Sequence, residues 1–326
     1  MSSPRAAIRS SGADLRVLMG ARSQFRHCPG LVASVRMALL LRWKWGRARL
    51  RTRLRGVLMS DLTLSSRVPG ESLMAALRDA IGPEAPPSFA ARLFGRHPIP
   101  SSARSWYVGL LGEQAVAERL LRLPEGWLVL HSVPVGDRGS DIDHVLVSPS
   151  GRVVTVNTKH SPGGKVWVSP KAFLVNGQRQ PYLRNSSHEA ARAAKLLSAA
   201  AGGTVDVLAV IVTVGATLTH KGEPKDVAVV TLDQLVRFLI RTVSPPRGSI
   251  SGELVRHAVL QPRTWAPRQP VPTPSVEDTE WFVGLRERVR VAARRRTAWV
   301  LGAALAALGL PVTAVVLTVA GTGLHR

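Results

Sequence analysis

Asp141 and Asp143 stand two residues apart, and after an intervening run Asn157 and Lys159 repeat that spacing. The stretch that holds them, Gly139 to His160, reads as two strands joined by a tight Pro149-Ser150-Gly151 turn. Strand side chains alternate between faces, so Asp141 shares a face with Asp143, and Asn157 with Lys159. Pairing of the two strands brings four polar side chains onto one patch of otherwise apolar β sequence. Isolated charges are costly to bury there. The patch therefore implies a bound ligand or an opening to solvent.

The elements that must position this patch are legible on either side of it. A helix is predicted over Ser105–Leu123, stopped by Pro124, with Val108, Leu111, Ala115, Leu120 and Leu121 roughly on one face. Glu113 falls in its early turns, where the helix dipole tolerates a carboxylate. Strands are expected at 127–135, 141–149 and 152–159, with a hairpin at 165–176. An Ala-rich helix follows over Asn185–Ala201, capped by Asn185 or Ser186 and stopped by Gly202-Gly203. Its Arg192 and Lys195 face either phosphate or solvent. Val205–Val214 is nearly all apolar, as in a strand buried on both faces. A strand at Val227–Thr231 and a helix at Leu232–Val243 close the unit. The fold class is α/β.

This order of motifs resembles the nuclease-related domain (NERD) family, a branch of the restriction-endonuclease-like PD-(D/E)xK superfamily. The resemblance runs over residues 105–242. It rests on Gly109-Leu-Leu-Gly-Glu113, Trp127-Leu-Val-Leu-His131, Asp141-Ile-Asp-His144, Gly151 to Lys159, and the hairpin Gly164-Lys-Val-Trp-Val168 with Phe173-Leu-Val-Asn-Gly177. It implies a mixed central sheet flanked by helices and a site for Mg²⁺ or Mn²⁺ that hydrolyses nucleic acid, DNA ahead of RNA. Carried over by position, the catalytic residues are Glu113, Asp143, Asn157 and Lys159. The metal would be held by Asp143 and Glu113. Mg²⁺ takes hard oxygen ligands, usually one or two carboxylates with waters and phosphate, and a lysine can position the attacking water. The family pattern has a glutamate where this chain has Asn157, which offers an oxygen without charge. Asp141 is the residue placed to supply the missing carboxylate. The alternative is a non-catalytic nucleic-acid or protein-binding module that kept the fold and lost cleavage. His144 is read as a packing or hydrogen-bonding residue ahead of a catalytic base, and His160 likewise.

The net charge of +23 over 326 residues invites nucleic-acid partners, but most of it lies outside this unit. Residues 1–58 carry +12 with a single acid, whereas 105–242 carry +4. The first segment is expected to be an Arg-rich disordered arm or translated upstream sequence, with Met59 the true start. Residues 59–104 are read as a short helix, Glu71–Ile81, and a Pro/Gly linker. One cysteine, Cys28, excludes an internal disulfide framework, and no Cys/His cluster has zinc spacing.

Residues 243–296 are read as a Pro-rich linker and basic flank, the stretch 286–296 holding six Arg and one Glu. Thr297–Leu324 is then twenty-eight residues without a charged side chain. About 20 apolar residues span a bilayer, so a transmembrane helix is expected over 297–324. The positive-inside rule orients it as a single-pass C-terminal anchor with the N-terminal domain cytoplasmic.

Overall fold

The computed structural model describes residues 64–82, 88–135, 140–242, 250–266 and 276–322; at 242, 276 and 308–322 the backbone alone is described. The expected arm over 1–58 lies outside the described residues, as does Met59.

A five-stranded mixed sheet forms the centre. Its strands are β1 (Leu128–Pro134), β2 (Asp141–Val147), β3 (Val153–His160), β7 (Val207–Val214) and β9 (Val227–Thr231), in the order β1-β2-β3-β7-β9. The first three strands pair antiparallel, while β3, β7 and β9 run parallel. Valine-rich β7 is central and covered on both faces, as its unbroken apolar run requires. The helix α3 (Arg104–Leu120) covers one face, with Val116 and Leu120 against Val154, Val156 and Val210. Helix α4 (Tyr182–Ala201) covers the other, with Ala193 and Leu197 against Val145, Val147 and Val153.

The expected hairpin is part of a second sheet. β4 (Lys165–Ser169) and β5 (Ala172–Val175) pair as foreseen, but β6 (Gln178–Gln180) and β8 (Thr217–His220) extend them to the order β6-β5-β4-β8. Both additions are short and polar, and their hydrogen bonds come from neighbouring strands that sequence periodicity does not reveal.

The described parts of the two expected linkers carry packed residues. Helix α1 (Glu71–Ile81) has the foreseen bounds, and residues on either side of 83–87, which lie outside the described residues, contribute to a core. Met74 and Leu77 join Ile99, Ala103, Tyr107 and Leu110 in one apolar cluster. Pro100 introduces the 3₁₀ turn Ser101–Ala103 and does not loosen the chain. After residue 249, α6 (Gly252–Leu260) and α7 (Pro262–Trp265) bury Val255, Val259 and Trp265 against α4 and the antiparallel strands. Pro262 occupies the first turn of a helix, where its missing N–H costs nothing, and the other prolines of that expected linker lie outside the described residues. The expected basic flank lies in α8 (Val276–Thr322): Phe282 and Leu285 just ahead of it enter the α1 cluster and Val289 packs against it, while Arg294, Arg295 and Arg296 are exposed.

Among the described residues no helix is long and apolar enough to cross a membrane. The expected span 297–324 has described side chains only as far as Ala307, and the rest of it lies outside them.

Candidate functional site

Strand pairing sets the site. The ladder between β2 and β3 runs from Val147↔Val153 to His144↔Val156 and stops there. One residue further on, the Asp143 carboxylate substitutes for a backbone acceptor: the Thr158 N–H donates to its Oδ2 at 2.6 Å. β2 and β3 no longer pair beyond this point, so Asp143, Asn157 and Lys159 all lie past the last paired residues of the two strands.

α3 supplies an acid from one side. Gly112 lets that helix lie directly on β3, since a Cβ there would come within 2.6 Å of the His160 Cβ. The neighbouring Glu113 is only 6% exposed and one of its oxygens, Oε2, has no hydrogen-bond partner. α4 supplies a second acid from the other side, Glu189, whose Oε2 accepts from Asn157 Nδ2 at 3.1 Å. Lys159 completes the group, its Nζ 4.9 Å from the centre of the Tyr182 ring at the start of α4.

These carboxyls sense one another. Burial, then the charges of Asp143 and Asp141, push Glu113 well above its usual range, against the pull of Lys159. Burial pushes Asp143 up to about 6, opposed by Lys159 and the Thr158 N–H. Burial and the Asp143 charge push Glu189 up to about 8. Both glutamates feel the charges of Asp143 and Asp141, and Lys159 is the charge that opposes the shift in all three groups.

Asp141 belongs to the same neighbourhood but is held differently. Ser72 Oγ donates to its carboxylate, and the Arg67 charge opposes the upward push of burial. Both partners come from the segment ahead of α3. That segment is fastened by Ser132, which adopts a positive φ of 46° inside β1. The Ser132 hydroxyl accepts from the Gly70 and Glu71 N–H groups and donates to the Val68 carbonyl. Gly70 is required at this turn: its φ is 76°, and a Cβ would fall 2.0 Å from Leu110 Cδ1.

Of the residues singled out in the sequence, Glu113, Asp141, Asp143 and Lys159 do converge electrostatically, and Asn157 lies with them through Glu189. His144 and His160 serve packing. His144 Nδ1 lies 2.8 Å from His131 Nδ1 across the β1–β2 pair, while His160 Nδ1 contacts the Val108 carbonyl at 2.7 Å. Arg192 and Lys195 are exposed on α4. Sequence reasoning missed Glu189, Arg67 and Ser72. A signal for Glu189 exists: it is the sole acid between Asp143 and Asp206, on the stripe with Ser186, Ala190 and Ala193 that α4 buries.

Three oxygens of these residues lack partners. Glu113 Oε2, Glu189 Oε1 and Asn157 Oδ1 are buried oxygens without partners, the kind a hard cation satisfies. These donors are not closed into a ligand shell: among the described residues no three His, Cys, Asp or Glu side chains form a group able to hold a metal ion.

Residues 108–214 match the model of the nuclease-related domain (NERD) family. No curated protein and no solved structure gives a match. The matched span contains all six residues from Glu113 to Glu189 discussed above, whereas Arg67 and Ser72 lie ahead of it.

Proposed function

We propose that this chain, which carries a nuclease-related domain over residues 108–214, hydrolyses phosphodiester bonds of nucleic acid with a divalent cation, DNA ahead of RNA. The observation that supports the reading is the group of buried acids Glu113, Asp143 and Glu189, with unpartnered oxygens on both glutamates, the Asp143 charge felt by both and Lys159 opposing all three shifts. Asp143 and Glu113 would hold Mg²⁺ or Mn²⁺, with Asp141 beside them. When bound, such an ion polarises the phosphate and acidifies a water.

The chain's own residues do the rest. The Thr158 N–H fixes one oxygen of Asp143, so its other oxygen points to a defined place. Lys159 orients the attacking water or takes up charge on the phosphate. Ser72 and Arg67 orient Asp141. Glu189, which accepts from Asn157, is the acid nearest the position where Asn157 lacks charge, and on releasing its proton to a bound cation it would supply that charge.

The test is cleavage of labelled DNA and RNA by the full chain with Mg²⁺, Mn²⁺ or chelator. Metal-dependent cleavage lost in Asp143→Ala and in Lys159→Ala supports the reading. Cleavage surviving Asp143→Ala defeats it. A second reading, a non-catalytic nucleic-acid or protein-binding module, is favoured by Asn157 and by donors that do not close into a shell. It predicts binding without cleavage under any divalent metal.

We also propose that the chain is tethered to a membrane through 297–324 with the domain on the cytoplasmic side. The support is the uncharged run itself, preceded by Arg294, Arg295 and Arg296.

A further inference from the structure

The exposed apolar surface of this molecule is concentrated in one place. Thirteen large hydrophobic side chains are exposed among the described residues, and seven of them lie on Phe89–Phe94 or Trp299–Leu305. The short helix α2 (Phe89–Leu93) and the loop after it rest against α8. Trp299 Nε1 donates to the Leu93 carbonyl at 2.9 Å, and the Phe94 and Trp299 rings lie 5.2 Å apart. Arg295 donates to the Arg92 carbonyl at 2.6 Å. Gly95 closes the junction with a φ of 67°; a Cβ there would meet the Ala292 carbonyl at 2.3 Å.

Despite this fixed seating, the side chains look outward. Phe89 is 75% exposed, Phe94 55%, Trp299 49% and Leu305 70%. Every described residue of α8 from Arg294 to Ala307 is exposed, and beyond Arg296 none carries a charge. A helix apolar all round is ordinarily buried in a core or a bilayer, and an exposed apolar patch of this kind marks an interaction surface. Its rim is cationic: Arg92, Arg96, Arg294, Arg295 and Arg296 are all exposed, and no acid lies on either segment.

We propose that Phe89–Phe94 and Trp299 form a collar seated in the interface of an anionic bilayer around the root of the apolar run. The inference rests on the tether reading and adds to it a second, domain-borne contact that fixes how the domain meets the membrane. Three features of the patch select a bilayer as occupant. The patch is continuous with the uncharged sequence to Leu324. Aromatic side chains, Phe89, Phe94 and Trp299, stand at the boundary, where amphipathic rings favour the headgroup level. The arginine rim complements anionic headgroups.

The test uses the full chain with Cys28, the only cysteine, replaced by serine. An environment-sensitive probe is attached at Phe94→Cys or, as a control on the second sheet, at Lys171→Cys. Phosphatidylcholine vesicles with and without phosphatidylglycerol are then added. The expected result is co-flotation with a blue shift and loss of iodide quenching at position 94 and neither change at 171. The effect should be larger with phosphatidylglycerol, and Arg92→Glu with Arg96→Glu should remove that preference. Carbonate-resistant flotation with position 94 as iodide-accessible as in buffer overturns the collar while leaving the tether. Absence of flotation overturns both. Shielding of position 94 by protein concentration without vesicles also overturns the proposal, showing a second copy as the occupant.

Discussion

The carboxyl cluster and the α2–α8 collar break the same rule in opposite directions. At the first, acids are buried where the β2–β3 pairing ends; at the second, aromatic and aliphatic side chains stand in solvent. Each is costly in isolation. The difference lies in what relieves the cost. Around Glu113, Asp143 and Glu189 the chain supplies only partial relief, from Lys159, the Thr158 N–H and Asn157. At the collar it supplies none, although hydrogen bonds from Trp299 and Arg295 fix the geometry. On the proposals made above, a small cation would relieve the first region and an extended apolar phase the second.

The largest effect should come from removing charge at the first region. Asp143→Ala and Lys159→Ala are each expected to lower metal-dependent cleavage on the order of a thousandfold or more, since several kcal/mol of charge stabilisation is lost. Circular dichroism should show the fold retained, because both residues lie beyond the last β2–β3 pair and the β3–β7 pairing of Lys159 is made by its backbone. Single-turnover rates within tenfold of the parent would show that the cluster is a structural accident.

Asn157→Glu sharpens the contrast next. It places a carboxyl against Glu189, replacing an amide donor with a like charge. Without metal it should destabilise the chain by about 1–3 kcal/mol, the cost of an unsatisfied buried polar group. With Mg²⁺ that deficit should shrink, since one more hard oxygen ligand faces the cation. Denaturant midpoints with and without Mg²⁺ measure both. A deficit that Mg²⁺ leaves untouched means that residue 157 and Glu189 do not share a metal.

Acidity gives a third test. Glu189, near 8 in the folded chain against 4.5 in the open one, holds its proton where the unfolded chain has released it. The folded state binds more protons over that interval, so stability falls as pH rises toward 8. Glu113 acts in the same direction. His131, pushed down to about 4 by burial, and His144, lowered by burial and then by His131, act oppositely, but only below about 6.5. Between pH 6.5 and 8 the histidines no longer contribute, so the decline there belongs to Glu189 together with Glu113, and a substitution at Glu189 separates the two. Glu189→Gln should flatten the decline there by about 1–2 kcal/mol, at roughly 1.4 kcal/mol per unit. Thermal melts of the two proteins at these pH values decide it. Parallel profiles would show that Glu189 is not a strained acid.

How far each region was legible depended on the range of the forces that build it. Asp141, Asp143, Asn157 and Lys159 could be read because strand alternation is a local property, visible within one turn and two strands. Glu113 needed the family resemblance, since one glutamate in a helix is ordinarily solvated. Glu189 was overlooked for that same reason, although its place on the apolar stripe of α4 distinguishes it from Arg192 and Lys195. The prolines of 243–280 suggested a linker because they signal breaks in periodicity, not burial. That Trp265 is anchored by donating to the Val259 carbonyl depends on α6 docking at long range. The apolar run 297–324 was plain from composition, but the aromatic neighbours that α2 brings beside it were not. They are about 200 residues away in sequence and meet it only through the Gly95 turn.

The smallest effect should fall on the second region, and it is the most direct check on the comparison. Phe89 is 75% exposed, so Phe89→Ser removes little packing. Surface substitutions away from special features usually lie within about 0.5 kcal/mol, and the parent and variant in detergent should melt together within that margin. The same substitution should visibly reduce aggregation on detergent dilution, since it removes apolar area from the patch. A fall in stability of more than about 1 kcal/mol would mean that Phe89 is packed in the folded chain. The collar would then be part of the core, and the two regions would no longer differ in what relieves them.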